Sequence, residues 1–440
     1  MSKKSTSIGS EMARSHMRSA RRELLCADLF AGAGGLSAGF HSAGFRSVFF
    51  NEIDAAASET FKLNAPHTIP FVCPIEELTA ARVRDETSLA DDTLDVMVGG
   101  PPCQGFSINA PERSTEDQRN KLFRHYLRLV LEGLRPKFVV LENVPGLVSF
   151  NGGQTFRDLS TAFEQAGYMV AFRILNAAHY GVPEERWRLV LIGTRLPGVV
   201  PTFPMPTHYS FQRPNFTGGR TMTFEQAIGA RGRDPLFSAN LLAPITVREA
   251  IGDLPPIESG EGADSMPYSL PPKGAYQRLM RDGSTEIFNH RCAGLSKVNV
   301  TRMQHVKPGG SWRDIPHALL PAGMQRARRS DHTKRYGRFD PDGVSGTIMT
   351  KCDPHWGTVI HYEQDRIISV REAARIQSFP DRFQFTGSIA DQYRQVGNAV
   401  PPLLAKAIAN HILWMIERYE TGDAKTAIQA IAKEMYAGAR

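Results

Sequence analysis

Asp95-Val96-Met97-Val98-Gly99-Gly100-Pro101-Pro102-Cys103-Gln104-Gly105-Phe106-Ser107 reads as a buried strand that stops on two glycines and two prolines. Proline cannot continue a central strand, and glycine lets other backbone or a ligand approach closely. Cys103 is therefore presented in a rigid turn. A cysteine taken at random is more often a packed structural one, but the Pro-Pro before it and the Gln-Gly after it argue for exposure. The polar run from Ser107 to Asn120 reads as a mobile loop.

A second stretch of this kind follows. Lys137 to Leu141 is apolar and leads into Glu142-Asn143-Val144-Pro145-Gly146, so Glu142 is expected at the carboxyl end of a strand. In open parallel sheets, ligands bind there. A thiol and a carboxyl group delivered to one sheet edge suggest a nucleophile and an acid, against the plainer reading of Glu142 as an ion-paired or capping glutamate.

Upstream, Leu24 to Phe30 is a strand, Ala31-Gly32-Ala33-Gly34-Gly35 a glycine-rich turn, and the residues through Phe40 a helix. This is the first unit of a doubly wound α/β sheet. A dinucleotide fingerprint needs Gly or Ala at position 37, where Ser37 stands. The next strand, Val48 to Phe50, ends at Asn51-Glu52, twenty residues past Gly32. A carboxylate there can accept both hydroxyls of a ribose.

The chain has 440 residues, 41% hydrophobic and 22% charged, enough for one large core and a smaller domain. No apolar run reaches the length of a membrane span, and Met1 to Arg22 form a basic arm without an apolar signal core, so a cytoplasmic location is expected. Five cysteines without a C-x-x-C pair support neither a disulfide framework nor a metal site. Net charge is +7, and the basic residues are unevenly placed. Residues 271–340 hold 14 Lys/Arg against 5 Asp/Glu, with Tyr276, Trp312, Tyr336 and Phe339 among them. That is the footprint of a nucleic-acid binder, with a merely solvated basic face as the competing reading.

Gly99 to Ser107, together with Glu142-Asn143-Val144, resembles the cytosine-C5 DNA methyltransferase family, and further matches recur in the family's order from Asp28 to Pro401. The resemblance implies a Rossmann-like doubly wound sheet dependent on S-adenosylmethionine, plus a second, smaller target recognition domain. Four segments are expected: a flexible basic arm (1–22), a catalytic and cofactor domain (23–198), a target recognition domain (199–368), and a hinge helix with the return to the catalytic domain (369–440).

For the cofactor the resemblance implies Asp28, Phe30, Gly32, Gly34, Gly35 and Leu36 in the first turn, Glu52 at the ribose, Ile75 against the adenine, and Pro101, Leu122, Asn398 and Val400 around them. One position departs from the pattern: Pro74 stands where the family has an aspartate that accepts from the adenine amino group. Glu76 is the nearest substitute. Cys103 and Glu142 would be catalytic. Arg186 and Arg188 would face the flipped nucleotide and its phosphate, and Glu184 stands where the family usually has Gln. Gln104, Ser107, Arg326, Arg328 and Arg329 are candidates for contact with double-stranded DNA.

The chemistry fits these residues. Carbon 5 of cytosine is a poor nucleophile, so a thiolate must first add at carbon 6, helped by a proton at a ring nitrogen conjugated with it. The attack comes from above the ring plane, so the base must leave the duplex. An amino-group methyltransferase would carry an Asn/Asp-Pro-Pro-aromatic turn, which is absent here. The RNA-acting branch and a catalytically silent DNA-binding regulator are the remaining alternatives. A monomer is expected, and a cognate restriction endonuclease is left open.

Further signals are local. Thr246-Val247-Arg248-Glu249 and Ser369-Val370-Arg371-Glu372 are capping boxes. Asp117 to Phe123 opens a long amphipathic helix, Gly346 to Thr350 is strand-like, and a helix is expected from Leu403 to Tyr419.

Overall fold

The computed structural model describes residues 22–101, 122–210, 241–328, 330–331 and 334–422. Cys103, Gln104, Ser107 and Arg329 fall outside the described residues.

Seven strands form one sheet: β1 (Leu24–Leu29), β2 (Phe45–Asn51), β3 (Ile69–Phe71), β4 (Val96–Gly99), β5 (Phe138–Asn143), β6 (Met169–Asn176) and β7 (Trp187–Thr194). Their order is β3-β2-β1-β4-β5-β7-β6. The first five run parallel to one another, and β7 is antiparallel to both β5 and β6. Chain order reverses between β1 and β4, which makes their carboxyl ends the switch point where ligands of such sheets bind. Leu29 pairs with Gly99, and Gly99 with Leu141. The glycine-rich turn, the Gly-Pro turn and Glu142 therefore leave the sheet side by side.

Alternation along the strands explains why both faces are buried. Ala27, Leu29, Met97, Val139 and Leu141 point into one core; Cys26, Val96, Val98, Phe138 and Val140 point into the other. The helix Pro402–Glu420 closes the second face with Leu404, Ile408, Ile412 and Ile416. Val199 and Phe203 still pack in that core, so the chain leaves the sheet only after this point.

Beyond residue 240 two smaller cores form. One gathers Val247, Ile251, Tyr276 and Ile287 around the helix Val370–Ile376 and the Phe379, Phe383 and Phe385 rings. The other holds Met303, Trp312, Tyr336, Val359 and Ile360. Both capping boxes are present, Thr246 with Glu249 and Ser369 with Glu372. Every residue of Val370–Ile376 is buried. Arg375 bonds Asp253 at 2.9 Å and Asp381 at 2.6 Å, and Arg366 makes a two-pronged pair with Glu372 at 2.7 Å. Buried guanidinium groups need such partners, because an unpaired one costs far more than the pair returns.

Two local expectations are corrected. Gly346–Thr350 is not a strand; an isolated bridge between Glu184 and Ser345 flanks it, and the Ile348 N–H goes to the Glu184 side chain instead of to a neighbouring strand. The amphipathic helix, whose expected opening at Asp117–Lys121 lies outside the described residues, runs over Leu122–Leu127 and passes into a π-helical stretch, Arg128–Leu134, closed by an Arg135 N–H bond to Val130 O at 2.9 Å. Periodicity alone does not register such a widened turn.

Candidate active site

The first turn is shaped by backbone geometry. Phe30, Gly32 and Gly34 have φ of 56°, 55° and 94°; for a phenylalanine that is a strained conformation, held by its surroundings. A Cβ on Gly35 would run into Val400 O, so the last motif of the chain packs directly on the first. Leu36 and Val400 are buried, and Asn398 is exposed.

Asp28 is fully buried beside this turn. Its Oδ2 accepts from Ser37 Oγ at 2.8 Å, and its Oδ1 has no partner. Burial, with the nearby Glu52 adding to it, pushes the carboxyl up to about 7. Glu52 does more than the sequence suggested: Oε2 accepts from the Gly32 N–H at 2.7 Å and Oε1 from the Asp54 N–H at 2.8 Å. It braces the turn it was expected only to face. Asn51 Nδ2 donates to Phe71 O and Cys73 O at 2.9 and 2.8 Å, tying the ends of β2 and β3. Pro74 then starts a 3₁₀ turn, Ile75–Glu77, in which Ile75 is buried in the sheet core and Glu76 is exposed. Leu122 lies partly buried against that same core.

At the neighbouring edge, Pro101 is buried and its carbonyl accepts from Asn143 Nδ2 at 3.1 Å. A Cβ on Gly100 would stand 3.2 Å from Glu142 Oε2. The chain that leads to Cys103 is thus clamped beside Glu142, and Asn143, to which the sequence assigned no role, is the clamp. Glu142 Oε1 pairs with Arg188 Nε at 2.8 Å, both side chains being mostly buried. Burial lowers Arg188 to about 10.

Arg186 lies close to Arg188 but is committed elsewhere. It is fully buried, and Nη2 donates to Gly397 O at 2.8 Å, with longer bonds from Nη1 to Ile348 O and Glu184 Oε1. Glu184 Oε1 accepts from the Ile348 N–H at 2.7 Å, its Oε2 has no partner, and burial raises its carboxyl. Glu184 and Arg186 together fasten residues 345–348 and Gly397 to the sheet. A Cβ on Gly397 would come within 2.5 Å of the Met349 carbonyl carbon and oxygen, so this crossing is closed to any larger residue. No local pattern announces this clasp, because its members lie far apart in the chain. Arg326 and Arg328 are exposed.

Residues 24–414 match the family model described as C-5 cytosine-specific DNA methylase, a span that takes in the whole sheet and the segments clasped to it. The chain belongs to that family and is a DNA (cytosine-5) methyltransferase. It is similar to the type II methyltransferase M.AgeI of Thalassovita gelatinovora, 33% identical over 434 residues covering 88% of this chain and 98% of the relative. It is likewise similar to the type II methyltransferase M1.HphI of Haemophilus parahaemolyticus, 35% identical with 88% and 86% covered. A solved structure of a candidate prophage-encoded DNA modification methyltransferase (E. coli) superposes with TM-score 0.68 at 24% identity, covering 90% of this chain and all of that one; it supports the fold.

Proposed function

We propose that this enzyme transfers a methyl group from S-adenosylmethionine to carbon 5 of a cytosine flipped out of a specific double-stranded DNA sequence, through a transient covalent bond from Cys103 to carbon 6. The observation that carries the reading is the position of Glu142 against Gly100, with Pro101 pinned by Asn143. That arrangement fixes Gly100 and Pro101, the residues that lead into the Cys103 motif, beside an acid at the sheet edge.

The residues at the first turn fit the cofactor. Asp28 Oδ1 is a buried acceptor without a partner, and the ammonium group of a methionine moiety would supply one. Glu52 has lone pairs left on both oxygens for ribose hydroxyls. With Pro74 in the aspartate position and Glu76 exposed, Ile75 and neighbouring backbone remain to hold the adenine. When bound, the cofactor supplies an electrophilic methyl group.

The chain's own residues do the rest. Glu142 holds a proton or strong hydrogen bond at ring nitrogen 3, which is conjugated through carbon 4 with the carbon 5–carbon 6 double bond, and so keeps negative charge from building up as the thiolate adds. Arg188 orients Glu142 and offers the remainder of its guanidinium to the nucleotide; Arg186 positions the clasp that carries Ile348 and Gly397. Gln104 and Ser107 would meet the DNA as the loop closes, and Arg326, Arg328 and Arg329 would meet phosphates. In this reading residues 23–198 and 369–440 form the catalytic unit, with Val199 and Phe203 still packed on its sheet, and the rest of 199–368 forms the recognition unit, as in a type II modification enzyme.

DNA carrying 5-fluorocytosine at the target blocks the final proton removal. With S-adenosylmethionine it is expected to trap a denaturation-resistant complex with the wild-type chain and none with Cys103→Ala. Trapping by that variant would refute the assignment.

A further inference from the structure

Trp356 is 63% exposed, the most solvent-open tryptophan among the described residues. A large aromatic left in water is normally mobile, but this one sits on a turn held from several sides. The Trp356 backbone N–H donates to Asp353 O at 3.0 Å, Asp353 Oδ1 accepts from the His355 backbone N–H at 2.8 Å, and His355 Nε2 meets the Tyr336 hydroxyl at 2.8 Å. The Tyr336 N–H donates to Pro354 O at 2.6 Å and the Gly337 N–H to Gly357 O at 3.2 Å. Tyr336 itself belongs to a buried core.

The surroundings favour an anionic, planar partner. The Arg335 guanidinium lies 5.5 Å from the Trp356 ring centroid. Met349, 44% exposed, stands next to Gly357, and Lys351 and Lys334 are exposed, the latter with its Nζ against Gly346. The carboxylate of the turn, Asp353, is engaged by His355. The patch is also joined to the catalytic edge through the clasp. Met349 packs on Gly397 and Ile348 is bonded to Glu184, which joins the segment to Arg186 and, beside it, the Arg188–Glu142 pair.

We propose that Trp356, with Arg335 against its ring, stacks on a base next to the extruded cytosine, one whose π-face is laid open when the target leaves the helix. This rests on the reading of the enzyme as a base-flipping DNA methyltransferase. A preorganised aromatic supplies stacking at little entropic cost, and base–aromatic stacking is sequence-tolerant. Arg335, Lys334 and Lys351 supply the adjoining phosphate contacts. The residue therefore stabilises the opened duplex; it does not read the target sequence.

The test uses the full chain and a duplex containing the sequence that bisulfite sequencing shows to be methylated, with affinity measured by fluorescence anisotropy over a range of salt. Trp356→Ala is expected to bind about 10- to 100-fold more weakly, the loss of one stacked base, with the slope of log affinity against log salt unchanged because no phosphate contact is removed. Trp356→Phe is expected to recover most of the loss, and to lack part of the tryptophan quenching that DNA produces in the wild type. Equal binding by Trp356→Ala and wild type overturns the inference, as does a weaker variant with a flattened salt slope, which would make the contact electrostatic. A wild-type chain that dimerises in sedimentation where Trp356→Ala stays monomeric puts a second copy on the patch and also overturns it. A wild-type chain that neither binds nor methylates duplex DNA overturns the underlying reading together with the inference; unaffected binding by the variant alone overturns only the latter.

Discussion

Asp28→Asn tests whether the first turn trades stability for cofactor binding. Asp28 is buried with Oδ1 unpartnered, and burial pushes its carboxyl from 3.8 to about 7. Below pH 4 the folded and unfolded chains are both protonated and the group contributes no difference. As pH rises from about 4 to 7, the unfolded chain loses its proton while the folded one keeps it, so wild-type stability falls; above 7 the deficit is constant. A shift of about 3 units at 1.36 kcal/mol each is roughly 4 kcal/mol. Asparagine keeps an acceptor for Ser37 Oγ but adds an amide that must find partners, a cost of about 1–3 kcal/mol. A net gain of about 2 kcal/mol is expected above pH 7, falling as pH drops and turning into a net loss of about 1–3 kcal/mol near pH 4. Thermal unfolding of the cofactor-free variant and wild type from pH 5 to 8.5 reads this as a gap that opens with pH. Isothermal titration at pH 8 is expected to show weaker S-adenosylmethionine binding by the variant, since the cofactor's ammonium loses its counter-charge. A gap that stays constant across this range, or undiminished cofactor binding, would refute the argument.

Two further substitutions probe the catalytic edge and the clasp. Glu142→Gln keeps an acceptor for Arg188 but cannot deliver a proton, so single-turnover methyl transfer at saturating cofactor and DNA is expected to slow by about 10² to 10⁴, with affinities little changed; a near wild-type rate would remove Glu142 from the chemistry. Gly397→Ala places a methyl group 2.5 Å from the Met349 carbonyl, overpacking that costs about 1–3 kcal/mol. A lower melting temperature and a DNA-dependent fall in kcat/KM, with cofactor affinity within a few-fold of wild type, are expected; unaltered DNA dependence would mean the crossing does not position the 345–350 segment.

What could be read from the amino-acid order is what short-range chemistry specifies. Strand, glycine-rich turn and helix around Asp28 to Phe40, the stop of β4 at Gly99, Glu142 at the end of β5, and both capping boxes depend on residues within a few positions of one another. A doubly wound α/β sheet followed from them, and its reading as a methyltransferase sheet from the family resemblance; the seven strands and their order came from the structure. The duties of individual side chains did not. Glu52 was legible as a carboxylate at a strand end but not as the brace of Gly32. Arg186 looked like a partner for substrate, yet its guanidinium bonds Gly397 O, 211 positions away in the chain. Glu184 passed for a variant of a glutamine until its bond to Ile348 put it in the clasp. Asp28 gave no hint of its orphaned oxygen, and Trp356 none of its exposure. Secondary structure is set by backbone dihedrals and local periodicity, which the sequence carries directly. Which buried polar atom meets which is decided by chain crossings hundreds of residues apart, and only the packed tertiary structure brings those groups together.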